Sequence, residues 1–213
     1  AAGADPNVQS RPRDDQYRTG QWGRTAADGS KEVLRPGRDQ SSLHLAIDCD
    51  APSDEMVELL LSHRADPNVA DLAGRTPLHL ALDFEEDRNG PDLALAKTLL
   101  EHGADATLGN SEIGSANSCV HAAADRNQPE VLRLLLAHGT PHSTPGKGGF
   151  TPLALAARAG IDAVLPPLLE AGANPDALMP LTNGKSAREL AVINKRTAVL
   201  EVFDAHAAAN GSV

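Results

Sequence analysis

"TPLHLA", residues 76–81, followed by "LAKTLLEHGAD", residues 95–105, is the stretch on which the fold of the chain turns. A Thr ahead of a Pro marks a helix start. The hydroxyl can accept a hydrogen bond from a free N–H of the first turn, and Pro fits the first helical position, where its missing N–H costs nothing. Leu78, Leu80 and Ala81 then give a short helix one apolar face. The second segment is a Leu-rich helix stopped at Gly103, the residue type that adopts a left-handed C-terminal turn most readily. Helices this short cannot bury their own faces, so the pattern becomes stable only when it recurs and stacks.

It does recur. "SSLHLA" (41–46), "SCVHAA" (118–123), "TPLALA" (151–156) and "SARELA" (186–191) match the first segment. "GADPNV" (3–8), "RADPNV" (64–69), "GADATL" (103–108), "GTPHST" (139–144) and "GANPDA" (172–177) match the turn that ends the second. Between them run "MVELLLSH", "LAKTLLEH", "EVLRLLLAH" and "AVLPPLLEA". The chain thereby resembles the ankyrin-repeat family, strongly over residues 41–205 and weakly at 3–8. The resemblance implies an all-α solenoid of stacked helix-turn-helix pairs with β-hairpin-like connecting loops. It implies one domain over 1–213: a partial repeat at 3–8, a hairpin insertion at 9–39, repeats at 41–75, 76–117, 118–150 and 151–185, and a C-terminal capping repeat at 186–206. Arg188, Glu189 and Lys195 give that last repeat polar side chains, as a terminal repeat needs. The chain opens at a "GAD" turn without the two helices that should precede it, so a piece of a longer protein is expected.

Spacing locates the departures from regularity. The second complete repeat carries extra residues between its helices, "FEEDRNGPD" (84–92). The first hairpin runs from Gly3 to Ser41, where regular hairpins take 12 residues from turn to helix start, leaving about 26 in surplus. That surplus holds "QYRTGQWGR" (16–24), with the only Tyr and the only Trp of the chain.

Composition narrows the function classes. The 213 residues are 41% hydrophobic but only 2% aromatic, which suits small aliphatic packing in helices. Nineteen Lys and Arg against 29 Asp and Glu give a net charge of −10, against nucleic acid or an anionic membrane surface as the main partner. Two cysteines, Cys49 and Cys119, make neither a disulfide framework nor a cysteine zinc site and fit a reducing compartment. No apolar run reaches membrane-spanning length, so membrane insertion is not expected and the cytoplasm or nucleus is the expected location.

Catalytic and cofactor chemistry find little support. Three of the eight histidines, His44, His79 and His121, share one repeat slot. The family resemblance implies that they tie neighbouring repeats together. His63, His102 and His138 share the slot before the turn, at a helix carbonyl end where a cation-capable ring is favourable. Neighbouring copies of one slot lie roughly 10 Å apart, too far to share a metal. "NGKS" (183–186) has Met179 where a phosphate-binding loop needs its first Gly. No nucleophile, base and orienting group are grouped, and neither an enzyme nor a cofactor is expected.

A binding surface remains. The resemblance places recognition on the hairpin tips and the outward side of the first helices. Those slots hold Gln40, Asp48, Leu72, Arg75, Asp83, Phe84, Asn117, Asp125, Arg126, Lys147, Phe150 and Arg158, to which the insertion adds Tyr17 and Trp22. Exposed aromatics and Arg are the usual anchors of protein interfaces. Phe84 and Phe150 are equally compatible with local packing. The 9–39 segment is open to three readings: a disordered loop, a makeshift cap, or a recognition arm. The expected function is a non-catalytic interaction module or scaffold, monomeric on its own, binding another protein or another domain of its parent chain. Alternatives are a regulatory or targeting segment of a larger enzyme, ubiquitin-ligase adaptor or channel, and a fixed structural element of a large assembly.

Overall fold

A computed structural model describes residues 41–48, 54–71, 74–82, 90–109 and 117–210, and the backbone of 24–25 and 31–32. Ten α-helices form within them, in five pairs. The inner helices are α1 (Ser42–Ile47), α3 (Pro77–Ala81), α5 (Cys119–Asp125), α7 (Pro152–Ala159) and α9 (Ala187–Ile193). The outer helices are α2 (Asp54–Ser62), α4 (Leu93–Glu101), α6 (Pro129–Ala137), α8 (Leu165–Glu170) and α10 (Thr197–Asn210). Each inner helix packs on its own outer partner. Along the stack α1 meets α3, α5 meets α7 and α7 meets α9, while α4, α6, α8 and α10 follow one another in the second row. This is the all-α solenoid of helix pairs expected from the repeat.

Every inner helix starts at a hydroxyl residue: Ser41, Thr76, Ser118, Thr151 and Ser186 are the N-caps, all in extended conformation. The core runs between the rows and is made of small aliphatic side chains. Leu43, Leu78, Val120, Leu153 and Leu190 come from inner helices, and Val57, Leu99, Leu132, Leu168 and Val199 from outer ones. Phe203, the aromatic of the last outer helix, is fully buried.

Outer helices end in a left-handed turn, with φ of 87° at Gly103, 77° at Gly139 and 95° at Gly172. The same slot in the first complete repeat is Arg64, at φ 66°. A side chain there strains the backbone, because Cβ crowds the neighbouring carbonyl.

Two details differ from the sequence reading. Leu59, in the Leu-rich "MVELLLSH" run, points outward at 52% exposure, since only one stripe of α2 meets the core. The terminal repeat is less polar than a plain cap. Val192 and Ile193 are exposed in it, as are Leu178 and Leu181 in the hairpin before it. Arg188 is half-buried, bridging Asp176 at 2.9 Å and Asp204 at 2.6 Å across the ring of Phe203. The last helix, α10, continues to Asn210, beyond the expected end of the repeat at 206. Within the insertion, Arg24–Thr25 and Lys31–Glu32 form a two-residue antiparallel ladder (β1 and β2), the one strand pairing among the described residues besides the isolated Met179–Lys185 bridge.

Candidate protein-binding face

The face is built on buried histidines in one repeat slot, the first of which, His44, bonds directly to the next hairpin. Ser41 N–H donates to Nδ1 of His44 at 3.2 Å, so that nitrogen carries a lone pair and the proton sits on Nε2. Nε2–H then donates to the carbonyl of Arg75, 2.8 Å away in the next hairpin. Thr76 N–H and Ser118 N–H make the same bond to Nδ1 of His79 and His121, each at 3.2 Å. Among the described residues Nε2 of neither has a full hydrogen bond, although the carbonyls of Phe150 and Thr144 face His121. Burial disfavours the imidazolium and lowers the pKa of all three rings. The largest effect with a value is at His79, lowered to about 4, with nearby His44 a smaller contributor.

The other recurrent histidines cap helix ends. His63, His102 and His138 each direct Nδ1 at the carbonyl four residues earlier, at 2.9, 2.9 and 3.0 Å. Their donors thus serve the outer-helix carbonyl ends.

The hairpin tips and inner helices place the expected contact residues as follows. Asn117 accepts the Lys147 N–H on its Oδ1 at 2.9 Å, tying one hairpin to the next. Lys147 itself extends from a short 3-10 turn, Lys147–Gly149, into solvent. Phe150 is half-buried, packed against the core on one side, with the Arg158 guanidinium 4.6 Å above its ring on the other. Local packing and exposure are therefore combined in the same aromatic. Asp125 and Arg126 are exposed at the end of α5. Asp48 caps α1 and is half-buried.

Arg75 departs from expectation. It is buried at 4% exposure, and its Nε and Nη2 grip Asp71 Oδ2 at 3.1 and 3.0 Å while Asp71 Oδ1 accepts the Arg75 N–H at 2.9 Å. A guanidinium held in that fork shapes the hairpin and is not presented to solvent. Tyr17, Trp22, Gln40, Leu72, Asp83 and Phe84 lie outside the described residues.

Two residues beside the hairpin and helix that carry Phe150 and Arg158 escaped the sequence reading. Leu181, 77% exposed, sits in a 3-10 turn, Pro180–Thr182, against Gly149. Its signal was the length of that hairpin, 14 residues from Gly172 to Ser186 against 12 in a regular one. Arg196 reaches back along the stack, its Nε donating to the Arg158 carbonyl at 3.2 Å. Gly160 makes room for it: a Cβ there would stand 2.7 Å from Arg196 Cδ. Only the packed geometry reveals that contact.

The family model "Ankyrin repeats (3 copies)" matches residues 26–110 and 86–179. The chain belongs to the ankyrin-repeat family. Among curated proteins, the ankyrin chain is 32% identical over 134 residues to transient receptor potential cation channel subfamily A member 1 of Homo sapiens, covering 62% of this chain and 11% of that protein. It is 40% identical over 74 residues to protein fem-1 homolog C of Danio rerio, covering 32% and 12%. It is 34% identical over 149 residues to transient receptor potential channel pyrexia of Drosophila melanogaster, covering 57% and 16%. The ankyrin chain thus spans less than a fifth of the length of each of these relatives. Among its own described residues, no helix is long and apolar enough to cross a membrane.

Proposed function

We propose that this ankyrin chain is a non-catalytic protein-interaction module. Its partner docks on the inner face from Asn117 and Lys147 through Phe150 to Arg158, with the 9–39 insertion contributing Tyr17 and Trp22. The observation that carries this reading is the half-exposed Phe150, held between a packed core and the Arg158 guanidinium. An aromatic fixed in that way loses little freedom when a partner covers it, which is the character of an interface anchor. The partner is another protein or another domain of the parent chain, and the cytoplasmic or nuclear compartment suits it.

A second reading has its own support. Two of the three relatives are named as channels and overlap this chain in a small share of their length. On that basis the stack is a regulatory or targeting segment of a larger protein, docking in cis.

Affinity capture from native extract, followed by identification of what is retained, tests the module reading. The bait is compared with a chain in which Trp22, Phe84 and Phe150 are all alanine, and with one whose residues 9–39 are replaced by a plain hairpin. A specific partner lost from the triple variant is the expected result. Equal retention by a triple variant with unchanged helical signal removes these residues as anchors.

A further inference from the structure

Charge is sorted along this chain in a way its total of −10 conceals. Residues 41–116 hold 4 Lys and Arg against 15 Asp and Glu, whereas residues 117–213 hold 8 of each. Within the second half the cations divide again. Arg133 pairs with Glu130 on the outer row, and Arg188 with Asp176 and Asp204. The other six, Arg126, Lys147, Arg158, Lys185, Lys195 and Arg196, occupy hairpin tips and the ends of inner helices. Among the described residues none of the six has a carboxylate within ion-pair distance. Asp125, Asp162 and Glu189 bring the negative charge to the same edge, and the Glu189 carboxylate is already occupied by the Ser186 N–H at 2.8 Å.

Three of these cations, Lys147, Arg158 and Arg196, border apolar surface. Arg158 covers one face of Phe150, Arg196 adjoins Arg158, and Leu181 stands beside the hairpin that carries Lys147. We infer that this band is a docking strip for an acidic peptide segment with an apolar anchor residue, the anchor seating on Phe150 and Leu181 and the carboxylates on the flanking cations. The inference rests on the interaction-module reading and names the chemistry of its partner.

Charge complementarity selects this occupant. An extended polyanion or an anionic bilayer would reach past the band toward the first two repeats, whose described residues hold nine Asp and Glu against three Lys and Arg, whereas a short segment lies within the cationic band alone. The apolar centre adds what a purely ionic ligand would not use.

Fluorescence anisotropy on the whole 213-residue chain tests this directly. The probe is a fluorescein-labelled peptide of Glu and Asp around a central Leu. The controls are the same peptide with Gln and Asn in place of the acids, and vesicles of phosphatidylserine and phosphatidylcholine. Saturable binding of the acidic peptide alone is expected, weakening as salt rises. Arg158→Glu with Arg196→Glu should lower affinity by roughly tenfold or more, as should Arg126→Glu with Lys147→Glu, whose exposed side chains do not support the fold. Arg133→Glu, on the outer row, should leave affinity unchanged.

No saturation, equal binding of the amide peptide, or affinity untouched by both double reversals overturns the inference. Binding to the vesicles and not to the peptide overturns it in favour of a membrane surface. If native-extract capture persists while the acidic peptide fails to bind, the module reading stands and only the partner chemistry falls. If both double reversals weaken peptide binding while replacement of residues 9–39 leaves capture unchanged, the strip stands and only the insertion's part in the module reading falls.

Discussion

Acid should loosen the stack through His79, and the size of the effect follows from its burial. In the folded chain its pKa is lowered to about 4 from an ordinary 6.5, chiefly by desolvation. A lowered folded pKa leaves stability intact above about pH 6.5 and removes it as pH falls, because the unfolded chain takes up a proton that the folded ring refuses. Between these two values the loss from this residue is about 3 kcal/mol, at 1.36 kcal/mol per unit, and about 2.5 kcal/mol of it is gone by pH 4.5. Protonation would also set an N–H against the Thr76 N–H that Nδ1 now accepts at 3.2 Å. His79→Asn supplies an amide oxygen near the Nδ1 position and cannot titrate. It should cost about 1–2 kcal/mol at neutral pH through the lost ring. Urea unfolding of both chains, followed by circular dichroism from about pH 7.5 to 4.5, should show the variant less stable at the top of the range and equal or more stable at the bottom. Comparing the two cancels the titration of the shared carboxylates. A stability gap that stays constant across the range would refute the reasoning.

Other perturbations follow from single sites. Arg64→Gly relieves the strain of a side chain at φ 66°, and should stabilise the chain by about 0.5–1 kcal/mol after the added unfolded-state freedom of glycine. The readout is the urea midpoint at unchanged slope. Arg75→Ala leaves the Asp71 carboxylate fully buried without its guanidinium partner, and should cost about 3–5 kcal/mol, of which the Asp71→Ala, Arg75→Ala double variant recovers a large part. Cys119 is fully buried with its thiol pushed up to about 12. In a Cys49→Ser background it should resist a thiol reagent at neutral pH until urea opens the repeat.

How much of this could be read from residues alone depends on what each residue answers to. The helix starts at Ser41, Thr76, Ser118, Thr151 and Ser186 were legible because capping is local chemistry between positions three apart. The shared slot of His44, His79 and His121 was legible because a repeat fixes distance in space through spacing in sequence. Arg75 was not. Its slot matches that of Phe150, but Asp71 four residues earlier takes the guanidinium inward. Arg196 was invisible for a related reason, since its contact with Arg158 depends on two helices being stacked and on the missing side chain of Gly160. Slot logic therefore predicts where a backbone goes more securely than where a long charged side chain ends.

That distinction bears on the cationic band, because part of it has a structural explanation. Arg126 and Arg158 stand at the C-terminal ends of α5 and α7, and Lys195 and Arg196 just beyond α9. Cations are favoured there by the helix dipole, whatever the protein binds. Lys185 is different: it directly precedes the Ser186 cap, at the N-terminal end of α9, where the dipole disfavours positive charge. If stability alone governed the band, an acid would serve better at this position. Lys185→Glu should therefore raise folding stability by about 0.3–1 kcal/mol in urea unfolding while weakening the acidic-peptide complex. Opposed signs on the two measurements separate a residue held for binding from one held for the fold. Loss of stability together with unchanged peptide affinity would assign Lys185 to the hairpin alone.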